Sequence, residues 1–229
     1  MRKTAKKTAF DNVCQVLWAK YGECKCPLIH ETPFPLLAAV MLSAQCRDDR
    51  VNQVTPELFR RWGTPETMAN ADPDAVAEVI RVCGLFVNKS RNLVLCARQI
   101  MERHGGEVPS TMEELSALAG VGRKSANVIL GNAFGLPGFP VDTHVNRVLN
   151  RLQLSGGSTD PVKIEYHVNA RMPAELLCNF SHLLIRHGRD ICHARNPECS
   201  LCPLAERCPA RTDLLPQKKC AKAKKDLKK

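Results

Sequence analysis

The sequence predicts an all-α fold, and three observations carry that expectation. Apolar residues recur at helical spacing: Phe10, Val13, Cys14 and Leu17 form one stripe, and Val76, Val79, Ile80 and Cys83 form another. Helix start signals recur along the chain. Asp72-Pro73 and Asp160-Pro161 each put proline at a first helical position, and Ser110 with Glu113 reads as a capping box. No alternating run bounded by hairpin turns reads as a strand. About ten helices are expected from these signals.

The elements follow in chain order. The first stripe predicts a helix near the N-terminus. Residues 33–45 (PFPLLAAVMLSAQ) are apolar nearly throughout, which predicts a central helix buried on all sides. The second stripe predicts a helix opened by Asp72-Pro73 and running through Cys83. Residues 115–130 (LSALAGVGRKSANVIL) read as the end of one helix at Leu115 and Leu118, a tight Gly120-Val121-Gly122 turn, and a second helix on Ala126, Ile129 and Leu130. Both glycines are free to take positive φ. Asp142 precedes Val145, Val148, Leu149 and Leu152, as an N-cap precedes a helix. Asp160-Pro161 opens another helix. No long-period repeat is present, and low complexity is confined to the Lys-rich end from Gln217.

The chain has 229 residues and 44% hydrophobic content, enough for a globular core. No apolar run approaches the ~18 residues of a membrane span. The N-terminal MRKTAKK is basic, but no unbroken apolar segment follows, so no secretory signal is read. The expected location is cytoplasmic. The net charge of +10 lies entirely in the two ends, in Arg2, Lys3, Lys6 and Lys7 and in residues 211–229. Residues 8–210 are formally neutral. Such arms are either solvated or bind phosphate weakly and salt-sensitively, and alone they establish no nucleic-acid partner.

Twelve cysteines are many for a chain without a secretion signal, and clustered thiols in a reducing compartment suggest metal. Eight are scattered or fall at helical apolar positions. The other four have the spacing Cys192-x6-Cys199-x2-Cys202-x5-Cys208, in a loop with Pro197, Pro203 and Pro209. Four thiolates suit tetrahedral zinc or a [4Fe–4S] cluster. Zinc sites usually use two tight C-x2-C pairs and only one is present, which favours iron–sulfur. Ligation would staple a short segment that lacks a core of its own. His193, Arg195 and Arg207 in this loop offer positive charge to a phosphate backbone.

The Gly120-Val121-Gly122 turn leaves backbone N–H groups at a helix N-terminus, a phosphate-binding arrangement. Its leucines, glycines and Ala126 match the helix–hairpin–helix DNA-binding motif. Lys124 falls in the first turn of the second helix. There the positive end of the helix dipole opposes an ammonium and favours the neutral, nucleophilic amine. Such an amine forms Schiff bases. Asp142 both caps a helix and offers a carboxylate. His144 reads as a structural hydrogen-bonding residue.

With these motifs assembled, the chain resembles the endonuclease III family of helix–hairpin–helix DNA glycosylase/lyases over residues 8–210. The resemblance is carried by LLAAVMLSAQ (36–45), Gly84-Leu85, the 106–130 segment with GVGRK, FPVDTHVNRVLNRL (139–152), LIRHGRDIC (184–192) and the cysteine loop. It implies a two-lobed fold. A six-helix barrel lobe would span 26–136, a second lobe of 1–25 and 137–211 would hold a [4Fe–4S] cluster, and 212–229 would be a basic, disordered tail. It implies a bifunctional base-excision enzyme that flips oxidised pyrimidines such as thymine glycol out of duplex DNA, with Lys124 as nucleophile and Asp142 as its partner. A Schiff base and β-elimination would cleave the strand 3′ to the abasic site. Asp142 would stabilise cationic sugar character or help deprotonate Lys124. Cys192, Cys199, Cys202 and Cys208 would ligate the cluster, which serves DNA binding and stability rather than hydrolysis. Gln45 and Leu85 would fill and wedge the gap in the duplex. The remaining DNA contacts expected are Gly120, Val121, Gly122, Arg123, Ser125, His144, Arg147 and Arg195. The partner would be double-stranded DNA carrying damaged pyrimidines or abasic sites. No membrane partner and a monomer are expected.

Four positions depart from the family pattern. Ala119 replaces a proline common before GVG, which is expected to loosen the hairpin slightly. Ser125 stands where threonine is common, and Phe86-Val87 replace Tyr-Asn. An adenine-mismatch glycosylase would lack Lys124 and need a glutamate where Ala39 stands. Thymine- and uracil-mismatch glycosylases also depart at the lysine. A non-catalytic iron–sulfur DNA-binding protein would have no use for the Lys124/Asp142 pair.

Overall fold

The computed structural model describes residues 9–211. The basic stretches 2–7 and 212–229, with Cys220, lie outside the described residues. Within them the chain forms α1 (Ala9–Tyr21), α2 (Pro33–Ser43), α3 (Asp48–Trp62), α4 (Pro65–Ala69), α5 (Pro73–Val79), α6 (Phe86–His104), α7 (Met112–Ser116), α8 (Arg123–Ala133), α9 (Thr143–Arg151), α10 (Pro161–Asn169) and α11 (Ala174–Asp190). Three short 3₁₀ turns complete the regular structure, and no strand occurs among the described residues. No helix there is long and apolar enough to cross a membrane.

The buried apolar residues separate into two clusters. The first runs from Leu28 to Leu130 and is centred on α2, whose residues Phe34 to Leu42 are all buried. A helix apolar on every face can only sit inside a ring of others, and α2 packs on α3, α6 and α8. The second cluster joins α1 to α9, α10 and α11, with Phe139 stacked on Phe180 at its centre. Chain ends that are distant in sequence therefore share one core.

Most cap signals hold. The Asp72 side chain accepts from Asp74 N–H, Asp160 accepts from Val162 and Lys163 N–H, and Asp142 accepts from Val145 N–H at 2.8 Å. Four local readings are corrected. The start of α7 is capped by Thr111 rather than Ser110: the Thr111 hydroxyl oxygen accepts from Glu114 N–H and its O–H donates to the Glu114 carboxylate, in place of a Ser110–Glu113 box. Both pairs fit the pattern, and capping at Thr111 lets Leu115 N–H close the first turn onto the Thr111 carbonyl with its side chain buried. α2 stops at Ser43, two residues short of Gln45, where no further apolar side chain remains to bury. The helix opened by Asp72-Pro73 ends at Val79, yet Ile80 and Cys83 stay in the core. A 3₁₀ turn over Arg81–Cys83 repeats every three residues and keeps that pair aligned. Leu118 lies beyond the end of α7 and is buried from the turn itself.

Candidate active site and iron–sulfur loop

Between the two clusters lies a cleft of ≈ 640 Å³. It is bridged at its edges by polar contacts from one cluster to the other. Arg123 of α8 donates two hydrogen bonds to the buried Glu165 of α10, at 2.7 and 2.9 Å. Arg189 of α11 pairs with Asp48 of α3 at 3.0 Å, and His182 of α11 meets Asn132 of α8 at 2.9 Å. These contacts tie the two clusters together on either side of the cleft.

Lys124 and Asp142 line this one cleft from opposite clusters, together with Gln45 and Ser125. Lys124 is exposed in the first turn of α8. Asp142 is half-buried and anchored by its cap to Val145, which leaves its other oxygen to the cleft. Basic lining residues (Lys20, Lys25, Lys124, Arg186, Arg189) outnumber acidic ones (Glu23, Asp48, Asp142).

The hairpin turn is built as a backbone platform. Gly120 takes φ +76°, and a Cβ there would lie 2.9 Å from Met41 Cε and 3.1 Å from Asn92 Cβ, so glycine is required twice over. Gly122 does not use positive φ: it is extended at φ −92° and serves as an N-cap without a side chain. The first-turn N–H groups of α8 therefore stay open. Val121 is buried, so only its backbone is presented. Ala119 does not leave a loose hairpin, because its N–H, which proline would lack, donates to Gln99 Oε1 at 2.7 Å.

Gln45 and Leu85 share an unusual backbone. Their φ values are +54° and +49°, in the left-handed region that non-glycine residues rarely hold. Leu85 is 59% exposed despite its apolar side chain. Strain of this kind persists where surrounding structure imposes it, and it concentrates at functional sites. Here the support is Lys89, whose buried ammonium donates to the Leu42 and Cys83 carbonyls at 2.8 Å each and so ties the two loops together. Lys89 was legible in the sequence as a lysine on the buried Leu93, Ala97, Ile100 stripe of α6.

Other expected DNA contacts are engaged within the protein. Arg123 is held by Glu165 and packs over the Tyr166 ring at 5.0 Å. Arg147 donates to the carbonyls of Cys192 (2.9 Å) and Gly188 (2.8 Å), with His144 Nδ1 3.0 Å from its guanidinium. Arg195 is exposed in the cysteine loop.

The four cysteines line one cavity beneath α9 and α11. No three His, Cys, Asp or Glu side chains among the described residues are gathered as a single-ion site. Four thiols around an apolar space suit a polynuclear cluster better than one zinc ion. The surroundings fit thiolate ligands. Arg151, which spacing did not single out, donates to Cys192 Sγ at 3.1 Å and to the His193 carbonyl at 2.7 Å. His187 Nε2 lies 3.5 Å from Cys202 Sγ, and its Nδ1 lies 3.2 Å from the Tyr21 hydroxyl of α1.

A turn closed on glycine between two helices, facing a basic cleft with a lysine and a carboxylate, defines a helix–hairpin–helix base-excision protein. Comparison agrees: the family model described as HhH-GPD superfamily base excision DNA repair protein matches residues 38–174, and the iron–sulfur binding domain of endonuclease III matches residues 192–208. The chain belongs to the endonuclease III family. It is 45% identical to endonuclease III of Synechocystis over 92% of this chain and 96% of that one. It is 42% identical to endonuclease III of Escherichia coli K12 over 77% and 83%. A solved non-covalent endonuclease III–DNA complex superposes with a TM-score of 0.83 at 35% identity, covering 90% of this chain and 98% of that one. A trapped endonuclease III–DNA covalent intermediate gives the same score and identity. The chain is accordingly a base-excision DNA glycosylase with abasic-site lyase activity and an iron–sulfur cofactor of the [4Fe–4S] type.

Proposed function

We propose that the cleft receives an oxidised pyrimidine nucleotide, thymine glycol among them, swung out of duplex DNA, and that Lys124 attacks its C1′. The single observation behind this reading is that Lys124 and Asp142 line one cleft from two separate cores. Its size falls within the roughly 300–1,000 Å³ of small-ligand sites. The target carbon is hidden in a stacked duplex, so the nucleotide must leave the stack, and damaged bases leave at lower cost. The Lys124 amine forms a bond to C1′ as the glycosidic bond breaks and the base departs. The C1′–O4′ bond then opens, its oxygen taking up a proton, to give the iminium; this acidifies the 2′ proton, whose loss breaks the C3′–O bond and releases the 3′ phosphate. In this reading Asp142 stabilises the cationic sugar or helps deprotonate Lys124. Gln45 and Leu85 occupy the vacated stack, and the α8 N-terminus with the exposed Arg195 receives phosphates. Ser125 contacts the backbone beside Lys124.

Arg123, His144 and Arg147 serve this interface by positioning, through Glu165 and the start of the cysteine loop. The two apolar clusters support a barrel lobe over 26–136 and a cluster lobe over 1–25 and 137–211. Cys192, Cys199, Cys202 and Cys208 would hold the [4Fe–4S] cluster, which when bound supplies iron–thiolate bonds that fold this loop. We further read the protein as a monomer near the nucleoid.

Borohydride reduction of the enzyme mixed with a thymine-glycol duplex tests this. A covalent protein–DNA band is expected that vanishes in Lys124→Ala and with undamaged duplex. A band with an abasic duplex alone would retain the lyase and reject oxidised pyrimidines as substrates. A band persisting in Lys124→Ala would reject Lys124.

A further inference from the structure

Two cysteines outside the iron–sulfur loop meet at the roots of the loops that carry Gln45 and Leu85. Cys46 follows Gln45 and is partly buried, whereas Cys83 precedes Gly84-Leu85 and is 1% exposed. The Cys46 thiol donates to the Arg47 carbonyl at 3.7 Å and lies close enough to Cys83 to act on its thiol, and both are free thiols. The two loops are tied together as well, since the Lys89 ammonium bridges the carbonyl of Leu42, four residues before Cys46, and that of Cys83 at 2.8 Å each. Each cysteine is also pinned to its own turn, Cys46 N–H on the Ser43 carbonyl at 3.0 Å and Cys83 N–H on the Ile80 carbonyl at 2.9 Å. Burial, then the Cys46 thiol, push the Cys83 thiol up to about 11. Cys46, the more accessible of the two, is therefore where reaction begins. Lys89 and Arg50 supply positive charge beside the pair.

We propose that Cys46 and Cys83 form a reversible thiol–disulfide switch that locks the two duplex-probing loops, oxidised by a low-molecular-weight disulfide. The Cys46 thiolate attacks one sulfur of that disulfide, forming a mixed disulfide and expelling one small thiolate. Cys83 then gives up its proton and attacks the Cys46 sulfur, expelling the second. Two cysteine sulfurs are oxidised, one external disulfide is reduced to two thiols, and the cysteine protons end on those thiols. A sulfur–sulfur bond of about 2.05 Å is shorter than any non-bonded contact, so closure draws Cys46 inward and displaces Gln45 beside it. Gln45 and Leu85 already hold left-handed backbone and have little room to adapt. The oxidised enzyme engages DNA less well. This consequence rests on the reading that Gln45 and Leu85 enter the duplex.

The test treats the cluster-loaded enzyme with oxidised glutathione and follows peptide masses without reduction. Affinity for a duplex carrying an abasic-site analogue is measured alongside, and the visible absorbance of the cluster is monitored to show that it is intact. Expected are a Cys46–Cys83 linked peptide and a rise of about tenfold in Kd, or about 1.4 kcal/mol, reversed by dithiothreitol. Cys46→Ser should bind like the reduced wild type before and after oxidant. Cys83→Ala gives a second control should burial make one variant fold poorly. Glutathione adducts without the linked peptide would overturn the pairing, and a linked peptide with unchanged Kd would overturn the switch. Reduced Gln45→Ala and Leu85→Ala decide the probing reading separately: wild-type affinity in both would reject it whatever the thiols do.

Discussion

Leu85 places an exposed apolar side chain on a left-handed backbone, an arrangement that folding alone does not favour. A left-handed L-residue costs roughly 1–2 kcal/mol, and glycine relieves most of that. Leu85→Gly should therefore leave thermal stability unchanged or raise it by up to ~1 kcal/mol, while affinity for lesion duplex falls. Loss of both properties together would mean that Leu85 is a packing residue. Asp142 separates in a different way. Asparagine is as good an N-cap as aspartate, so Asp142→Asn should keep the melting temperature within a few degrees. If the carboxylate acts on the sugar, turnover should fall by about 10²–10⁴. Unchanged turnover would leave Asp142 with the cap alone.

At the scale of elements, the hairpin distinguishes its two glycines. Gly120 combines positive φ with side chains crowding its missing Cβ, whereas Gly122 has ordinary φ and nothing within 4 Å. Gly120→Ala should destabilise by about 1–3 kcal/mol, read as a lower denaturation midpoint. Gly122→Ala should be close to neutral in stability and still weaken DNA binding, because a methyl group then shields the open N–H groups of α8. Equal stability losses would show that both glycines serve the turn only. The same hairpin explains why Ala119 is tolerated: Gln99 on α6 supplies the restraint that a proline ring would otherwise impose.

At the scale of the whole molecule, the cleft depends on contacts between two cores. Glu165 is 5% exposed and takes both hydrogen bonds from Arg123. Glu165→Gln should cost about 1–3 kcal/mol and lower the melting temperature by about 2–10 °C. Lesion affinity should fall too, since α8 and α10 lose their register. A drop in stability with unchanged affinity would confine the pair to folding. The cluster loop is tied into the same frame through Arg147 and Arg151, which join it to α9 by its backbone carbonyls.

Much of this was legible in the sequence because it rests on local rules. Helical periodicity, Asp-Pro starts, the glycine turn and cysteine spacing each act within a few residues, and they determined the all-α class, α1, the buried α2, the cap at Asp142 and the candidate ligand set. The misreadings were also local. Ser110 and Thr111 offered rival boxes, and a 3₁₀ turn imitated one more helical turn. What only the tertiary structure decided depends on residues far apart in the chain. Arg123, Arg147 and Arg151 look alike as surface cations, yet each finds its partner more than forty positions away. Lys124 and Asp142 come to line one cleft only because α1 returns to pack with α9–α11 while α2 fills the other core. Long-range burial of apolar surface sets those distances, and no short pattern encodes them.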